Sequence, residues 1–227
     1  MSVSFLRHGG WFAPEHAKQL NIIGVGATGS WIGYVAAKMG FHDFQIWDAD
    51  IVETHNLPNQ IYDVEHINMP KVDAFEKVLK RFNPMISVTK HNEFFESAKH
   101  RDLLQGPLVL TVDTMSARKD IYNAFRLNWK VNKVYETRLG FDFAELNVID
   151  NMNLNQLEQW KGSLSNDSDI PDGPCNLRMC TTLVGLVASY TVHRICSMLS
   201  PTEAVEADNN KKKHLFNLTP TLETHNF

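Results

Sequence analysis

Gly24-Val25-Gly26-Ala27-Thr28-Gly29 fits the pattern GxGxxG. Bare backbone amides at such a turn, opening onto a helix N-terminus, can approach a phosphate closely. Asp48 lies 19 residues beyond Gly29, at the end of the next apolar run. A carboxylate there can accept hydrogen bonds from ribose hydroxyls. Glycines and acid together point to a nucleotide site. Taken alone they also describe a tight turn followed by a helix-capping aspartate, and they suit an NAD-dependent oxidoreductase equally well. The ten histidines show no metal-ligand spacing, and His55 and His66 read as loop residues rather than general bases.

These residues need a scaffold of alternating strands and helices. Leu20–Val25 is a short apolar run ending in glycines, which reads as a buried parallel strand entering a tight turn. Trp31, Ile32, Val35, Ala36 and Met39 recur at helical spacing, and Gly40 follows as a left-handed cap, so a helix is predicted over Ser30–Met39. Phe44–Trp47 is the second strand and delivers Asp48. A helix headed by Pro70 presents Val72, Phe75, Leu79 and Phe82 on one face and stops at Asn83-Pro84. Ser87–Lys90 is a short strand, a helix ends near Leu103–Gln105, and Leu108–Val112 is a central strand carrying Asp113 at its end. A helix follows from Ser116 to about Trp129, then Val131–Thr137 and Phe141–Ile149 alternate as a hairpin or mixed edge. Asn151–Gly173 has turn chemistry and little to bury, Thr181–Leu199 is an apolar helix, and a last short strand falls near His214–Leu218. The expected class is α/β: a Rossmann-like, mostly parallel sheet with helices on both faces and an antiparallel C-terminal extension. One domain is expected over residues 1–227, with 1–19 as an N-terminal arm, 151–179 as a crossover loop and 180–227 as a C-terminal helix and tail.

Composition narrows the function classes. With 43% hydrophobic and 21% charged residues the chain of 227 residues can bury a core, which excludes global disorder. The formal charge of −4 argues against nonspecific binding to nucleic acid or to an anionic membrane. Three cysteines, Cys175, Cys180 and Cys196, suit a reduced compartment rather than a disulfide scaffold. The opening MSVSFLRHGGWF lacks a signal-peptide core, and the longest apolar candidate, Thr181–Val192, is shorter than the run of about 18 residues that a membrane span requires. A cytoplasmic location and no membrane partner are expected.

The run Asp48-Ala-Asp50-Ile-Val-Glu53-Thr-His-Asn56-Leu-Pro-Asn-Gln60, then Pro70-Lys71 heading a helix that ends Phe82-Asn83-Pro84, resembles the ThiF/MoeB/HesA family, whose fold ubiquitin-activating enzymes share. Asp113, followed five residues later by Arg118, continues the match, which spans about Leu20 to Asn128. The resemblance implies that ATP activates a carboxylate, typically the C-terminus of a ubiquitin-like or sulfur-carrier protein or a peptide, giving an acyl-adenylate and pyrophosphate. Two anions must then be held in line and neutralised. Gly24, Gly26, Ala27, Thr28 and Gly29 would receive the nucleotide and Asp48 the ribose, while Lys71 would set its ammonium on the phosphates and Asp113 would bind Mg²⁺. Asp50 and Asn56 match pocket-shaping positions, and Gln60 is a looser match. Each has a plainer reading as well: Lys71 as a solvated helix residue, Asp113 as a helix cap, Asn56 as a turn residue. Arg118 is expected to pair with a local carboxylate.

Two departures stand out. The family motif Asn-Leu-x-Arg-Gln is Asn56-Leu57-Pro58-Asn59-Gln60 here, so a neutral amide replaces a phosphate-binding cation. Relatives borrow an arginine from a partner subunit's N-terminal segment; Arg7 is the arginine available, and its use would require a homodimer, though a solvated terminal residue is the alternative. Relatives also hold zinc on two Cys-x-x-Cys pairs, which three cysteines cannot supply, so no zinc is expected. Cys180, ahead of Thr181-Thr182 at a helix start, could accept the activated acyl group or be inert, whereas Cys196 reads as core. A non-catalytic relative that binds a carrier or partner stays open beside the adenylating enzyme.

Overall fold

The computed structural model describes residues 3–8, 11–17, 19–140, 142–166, 168, 181–200, 212–217 and 223–226. Eight strands form one sheet: β1 (Leu20–Ile23), β2 (Asp43–Trp47), β3 (Ser87–His91), β4 (Leu108–Leu110), β5 (Lys133–Leu139), β6 (Phe143–Asp150), β7 (Lys213–Asn217) and β8 (Glu223–Asn226). Their order is β3-β2-β1-β4-β5-β6-β7-β8. From β3 to β5 every pairing is parallel; from β5 to β8 every pairing is antiparallel.

The apolar side chains sort by strand pleat onto the two faces. Leu20, Ile22, Phe44, Ile46, Val109 and Tyr135 join one cluster, covered by the helices α1 (Ala27–Met39), α2 (Lys71–Phe82) and α6 (Thr181–Leu199). Ile23, Trp47, Leu108, Leu110, Val134 and Ile149 join the other. Packed on that face are α4 (Met115–Phe125) and α5 (Leu154–Gly162), with the short α3 (Ser97–His100) beside them. Helices therefore cover both faces, as the strand–helix alternation predicts. Phe75 of α2 is completely buried, a burial that contributes about 1.5–3 kcal/mol.

The N-terminal arm packs onto the first face: Phe12 is buried and stacks on Phe41, and Trp11 stacks on His193 of α6.

Several elements depart from the sequence expectations. α1 begins at Ala27, a turn earlier than predicted, because Gly26 already serves as its N-cap. The stretch read as the crossover loop holds α5, whose buried face consists of Leu157 and Trp160 alone. The helix predicted from Ser116 starts at Met115 and ends at Phe125. The edge strand β8, of sequence Glu-Thr-His-Asn, was absent from the expected set. α6, with 19 residues, is by length and composition the one described helix that could cross a membrane, contrary to the expectation that its apolar run is too short. In this structure 56% of an 18-residue apolar stretch of that helix is buried inside the protein.

Candidate functional site

β1 and β2 run parallel and end side by side, Ile23 opposite Trp47, so the turn at Gly24 and the acid at Asp48 leave the sheet as neighbours. Gly24 has φ +90°, a left-handed conformation that an L side chain rarely adopts, and a Cβ there would also press on the Thr111 carbonyl oxygen at 3.0 Å. A Cβ at Gly29 would stand 1.9 Å from the Gly24 oxygen, so only glycine lets the helix return this close to the turn. A Cβ at Gly26, by contrast, would meet nothing within 4 Å. Open space thus lies above the N-terminus of α1, whose cap has no side-chain hydrogen bond. That combination of room and unclaimed amides fits a phosphate.

Every polar group of the first two turn residues has a partner. The Gly24 N–H donates to the Trp47 carbonyl (2.8 Å), and the Gly24 carbonyl accepts from Thr111 Oγ1 (2.6 Å). The Val25 N–H donates to Asp48 Oδ2 (2.8 Å), and the Val25 carbonyl accepts from the Tyr62 hydroxyl (2.6 Å). Asp48 Oδ1 accepts the Asp50 N–H at 2.9 Å. Burial pushes the Asp48 carboxyl above its ordinary value; the Lys71 cation and the two N–H bonds oppose that rise, and the Asp50 charge adds to it.

Lys71 begins α2 with its side chain 9% exposed, and its Nζ donates to Asp50 Oδ2 at 2.7 Å. The solvated-helix reading of Lys71 is therefore displaced: the ammonium is buried and faces the end of β2. Gly24–Gly29, Asp48, Asp50 and Lys71 form one hydrogen-bonded group.

The other candidates lie around it. Asn56 is buried, and its Oδ1 accepts the Glu53 N–H (2.9 Å), closing the turn Thr54–Asn56, so its amide oxygen serves the loop. Gln60 is buried with Oε1 unpartnered. It lines a cavity of about 560 Å³ between α1 and α2, with Trp31, Tyr34, Tyr62, Arg81 and Phe82 among its walls. Asn59 donates nothing as a cation: its backbone carbonyl accepts the Trp31 indole N–H (3.2 Å), and its Oδ1 is buried without a partner. Asp113 is exposed just past β4, two residues after Thr111. It does not cap α4; Thr114 does, accepting from the Ala117 N–H at 3.3 Å. Arg118 is buried and donates to Glu136 Oε1 at 2.7 Å, the local carboxylate pairing expected for it. Arg7 is exposed on the N-terminal arm. Cys175 and Cys180 lie outside the described residues. Cys196 is buried in α6, and burial pushes its thiol up to about 12.

Sequence reasoning missed Tyr62 and Thr111. Both act on backbone carbonyls far away in sequence, a relation that no local spacing records. Two histidine-containing clusters, His91/Glu93/His100 and Asp63/Glu65/His66, bring ligand-type atoms together. In each the buried histidine accepts a backbone N–H at Nδ1, from Glu96 and Asp63 respectively, at 3.0 Å. Its Nε2 then keeps the proton and offers no lone pair to a cation.

A family model described as the ThiF family matches residues 15–223. The ubiquitin-like modifier-activating enzyme 5 of Drosophila virilis is 28% identical over 140 residues, covering 54% of this chain and 35% of that protein. The chain spans about a third of the length of that curated relative. Escherichia coli MccB, solved with AMPCPP and MccA, superposes with a TM-score of 0.72 at 12% identity, covering 94% of this chain and 65% of MccB. The E. coli tRNA N6-threonylcarbamoyladenosine dehydratase TcdA, solved with AMP, gives 0.64 at 14% identity over 82% of this chain and 87% of TcdA. These two likenesses establish the fold alone.

Proposed function

The chain belongs to the ThiF family, and from that premise we propose that it is an ATP-dependent adenylyltransferase. It activates the C-terminal carboxylate of a ubiquitin-like protein, a sulfur-carrier protein or a peptide, giving an acyl-adenylate and pyrophosphate. The observation that carries this reading is the single hydrogen-bonded group formed by the glycine turn, Asp48, Asp50 and Lys71 at the carboxyl ends of β1 and β2. Ligands of open α/β sheets bind in that crevice. The names of the similar proteins support the substrate class: one activates a ubiquitin-like modifier, and another was solved with a nucleotide and MccA.

The roles follow from charge. Amides at the start of α1 face the phosphates, and the Asp48 carboxylate accepts from the ribose. Lys71, paired with Asp50 at the ends of the same strands, would set its ammonium on the phosphates, where it would offset repulsion between them and the incoming carboxylate. Asp113, an exposed carboxylate just past the end of β4, suits Mg²⁺, which takes one or two carboxylates together with phosphate oxygens. When bound, the ion would supply charge neutralisation at the phosphates. Arg7 from a second copy in a homodimer would replace the cation missing at Asn59, and Cys180 would receive the acyl group. The working compartment is the cytoplasm.

The test is ATP–pyrophosphate exchange in the presence of candidate carriers. Exchange that depends on one carrier supports the reading, and Asp113→Ala is expected to lower it by about 100-fold or more. Absence of both exchange and ATP binding sinks the reading. A second reading, carrier binding without catalysis, is favoured by Asn59, whose inward-turned amide leaves the motif without its cation; ATP binding without exchange would select it.

A further inference from the structure

We propose that the Tyr62 hydroxyl is a positioning residue for the nucleotide, holding the glycine turn in its receptive shape through the Val25 carbonyl. The inference rests on the ATP reading above and concerns a residue that touches no substrate. Tyr62 lies in the segment between β2 and α2, 3% exposed, and donates to the Val25 oxygen at 2.6 Å. Val25 itself is fully buried, so no solvent stands ready to replace that bond. Burial and the nearby Asp48 charge push the Tyr62 phenol well above its ordinary value, which keeps it a donor at every working pH.

The geometry divides the labour around one residue, Val25. Asp48 holds the N–H of Val25 and Tyr62 holds its C=O, while Thr111 and Trp47 hold Gly24. When Asp48 turns to a ribose it must share or loosen its bond to Val25. Tyr62 then keeps the turn from relaxing, so that the amides of Gly26 to Gly29 stay directed outward. Ser30 reinforces the arrangement, its Oγ donating to the Ala27 carbonyl (3.1 Å) and accepting the Ile61 N–H (3.4 Å) from the same segment as Tyr62. Tyr62 also walls the cavity between α1 and α2, so the turn is coupled to that cavity through one ring.

Tyr62→Phe removes only the hydroxyl. Hydrogen exchange of the ATP-free protein should quicken over residues 24–30 and leave the sheet unchanged. The ATP dissociation constant, by calorimetry, should rise about tenfold, with KM for ATP rising in step and kcat nearly constant. Thr111→Val frees the neighbouring carbonyl by the same chemistry and keeps the test open should Tyr62→Phe not fold. A variant that loses thermal stability but binds ATP as tightly as wild type overturns the proposal, as does exchange that rises evenly over the whole chain. If wild type itself does not bind ATP, the adenylation reading fails and takes this one with it; if only the Tyr62→Phe comparison is flat, this one fails alone.

Discussion

Asp48 meets two demands at once: its oxygens hold the N–H groups of Val25 and Asp50, and a bound ribose would need the same carboxylate ionised. Because burial raises its folded-state value, the protonated form is the one that folding favours, so this residue's contribution to stability grows as pH falls. Ligand affinity should move the other way. ATP affinity is expected to decline on acidification from a pH above the usual aspartate value of about 3.9. The phosphates of ATP titrate as well, so the measurement is the difference between wild type and Asp48→Asn as pH is lowered from neutrality toward that value. Asp48→Asn should bind weakly and without the extra pH dependence, and parallel curves would refute the role.

At the level of elements, Glu136 on β5 ties four neighbours together. Fully buried, it accepts from Arg118 Nε of α4 and Arg138 Nε of β5 itself, both at 2.7 Å, from Asn147 Nδ2 of β6 at 2.7 Å and from Trp160 Nε1 of α5 at 3.1 Å. Removing that carboxylate strands the buried Arg118 guanidinium. Glu136→Ala should therefore cost about 3–5 kcal/mol in urea unfolding, with part of the loss recovered in the double variant with Arg118→Met. The same helices show what local pattern reveals. Helices α1 and α2 were legible because apolar residues recur at helical spacing, β1, β2 and β4 because each is a short, almost continuously buried run, and β6 because its buried residues largely alternate. α5 was not, since Leu157 and Trp160 alone face inward from an amide-rich stretch, and β8 is polar throughout, a strand only because β7 pairs with it. At the site, Gly24, Gly29 and Asp48 announced themselves through backbone demands that few residue types satisfy. Tyr62 and Thr111 did not, because what they hold is a carbonyl whose chemistry is the same in every residue.

The whole molecule is a sheet with one parallel half, where the candidate nucleotide crevice opens, and one antiparallel half that meets it at β5. A ligand bound at the carboxyl ends of β1, β2 and β4 links elements drawn from the first half of the chain, so its binding free energy should appear as global stability. At about 100 times its dissociation constant, Mg·ATP should stabilise by roughly 2.7 kcal/mol and raise the melting temperature by roughly 5–10 °C. NAD at the same concentration should leave it in place, and the reverse result would favour an oxidoreductase. The strand order also bears on synthesis. β1 lies between β2 and β4, and β4 comes only at Leu108–Leu110. On the ribosome, one edge of β1 must wait for its partner for on the order of 5–15 s. During that interval Leu20–Ile23 is an unpaired apolar edge, which makes this nascent stretch a natural client for a chaperone.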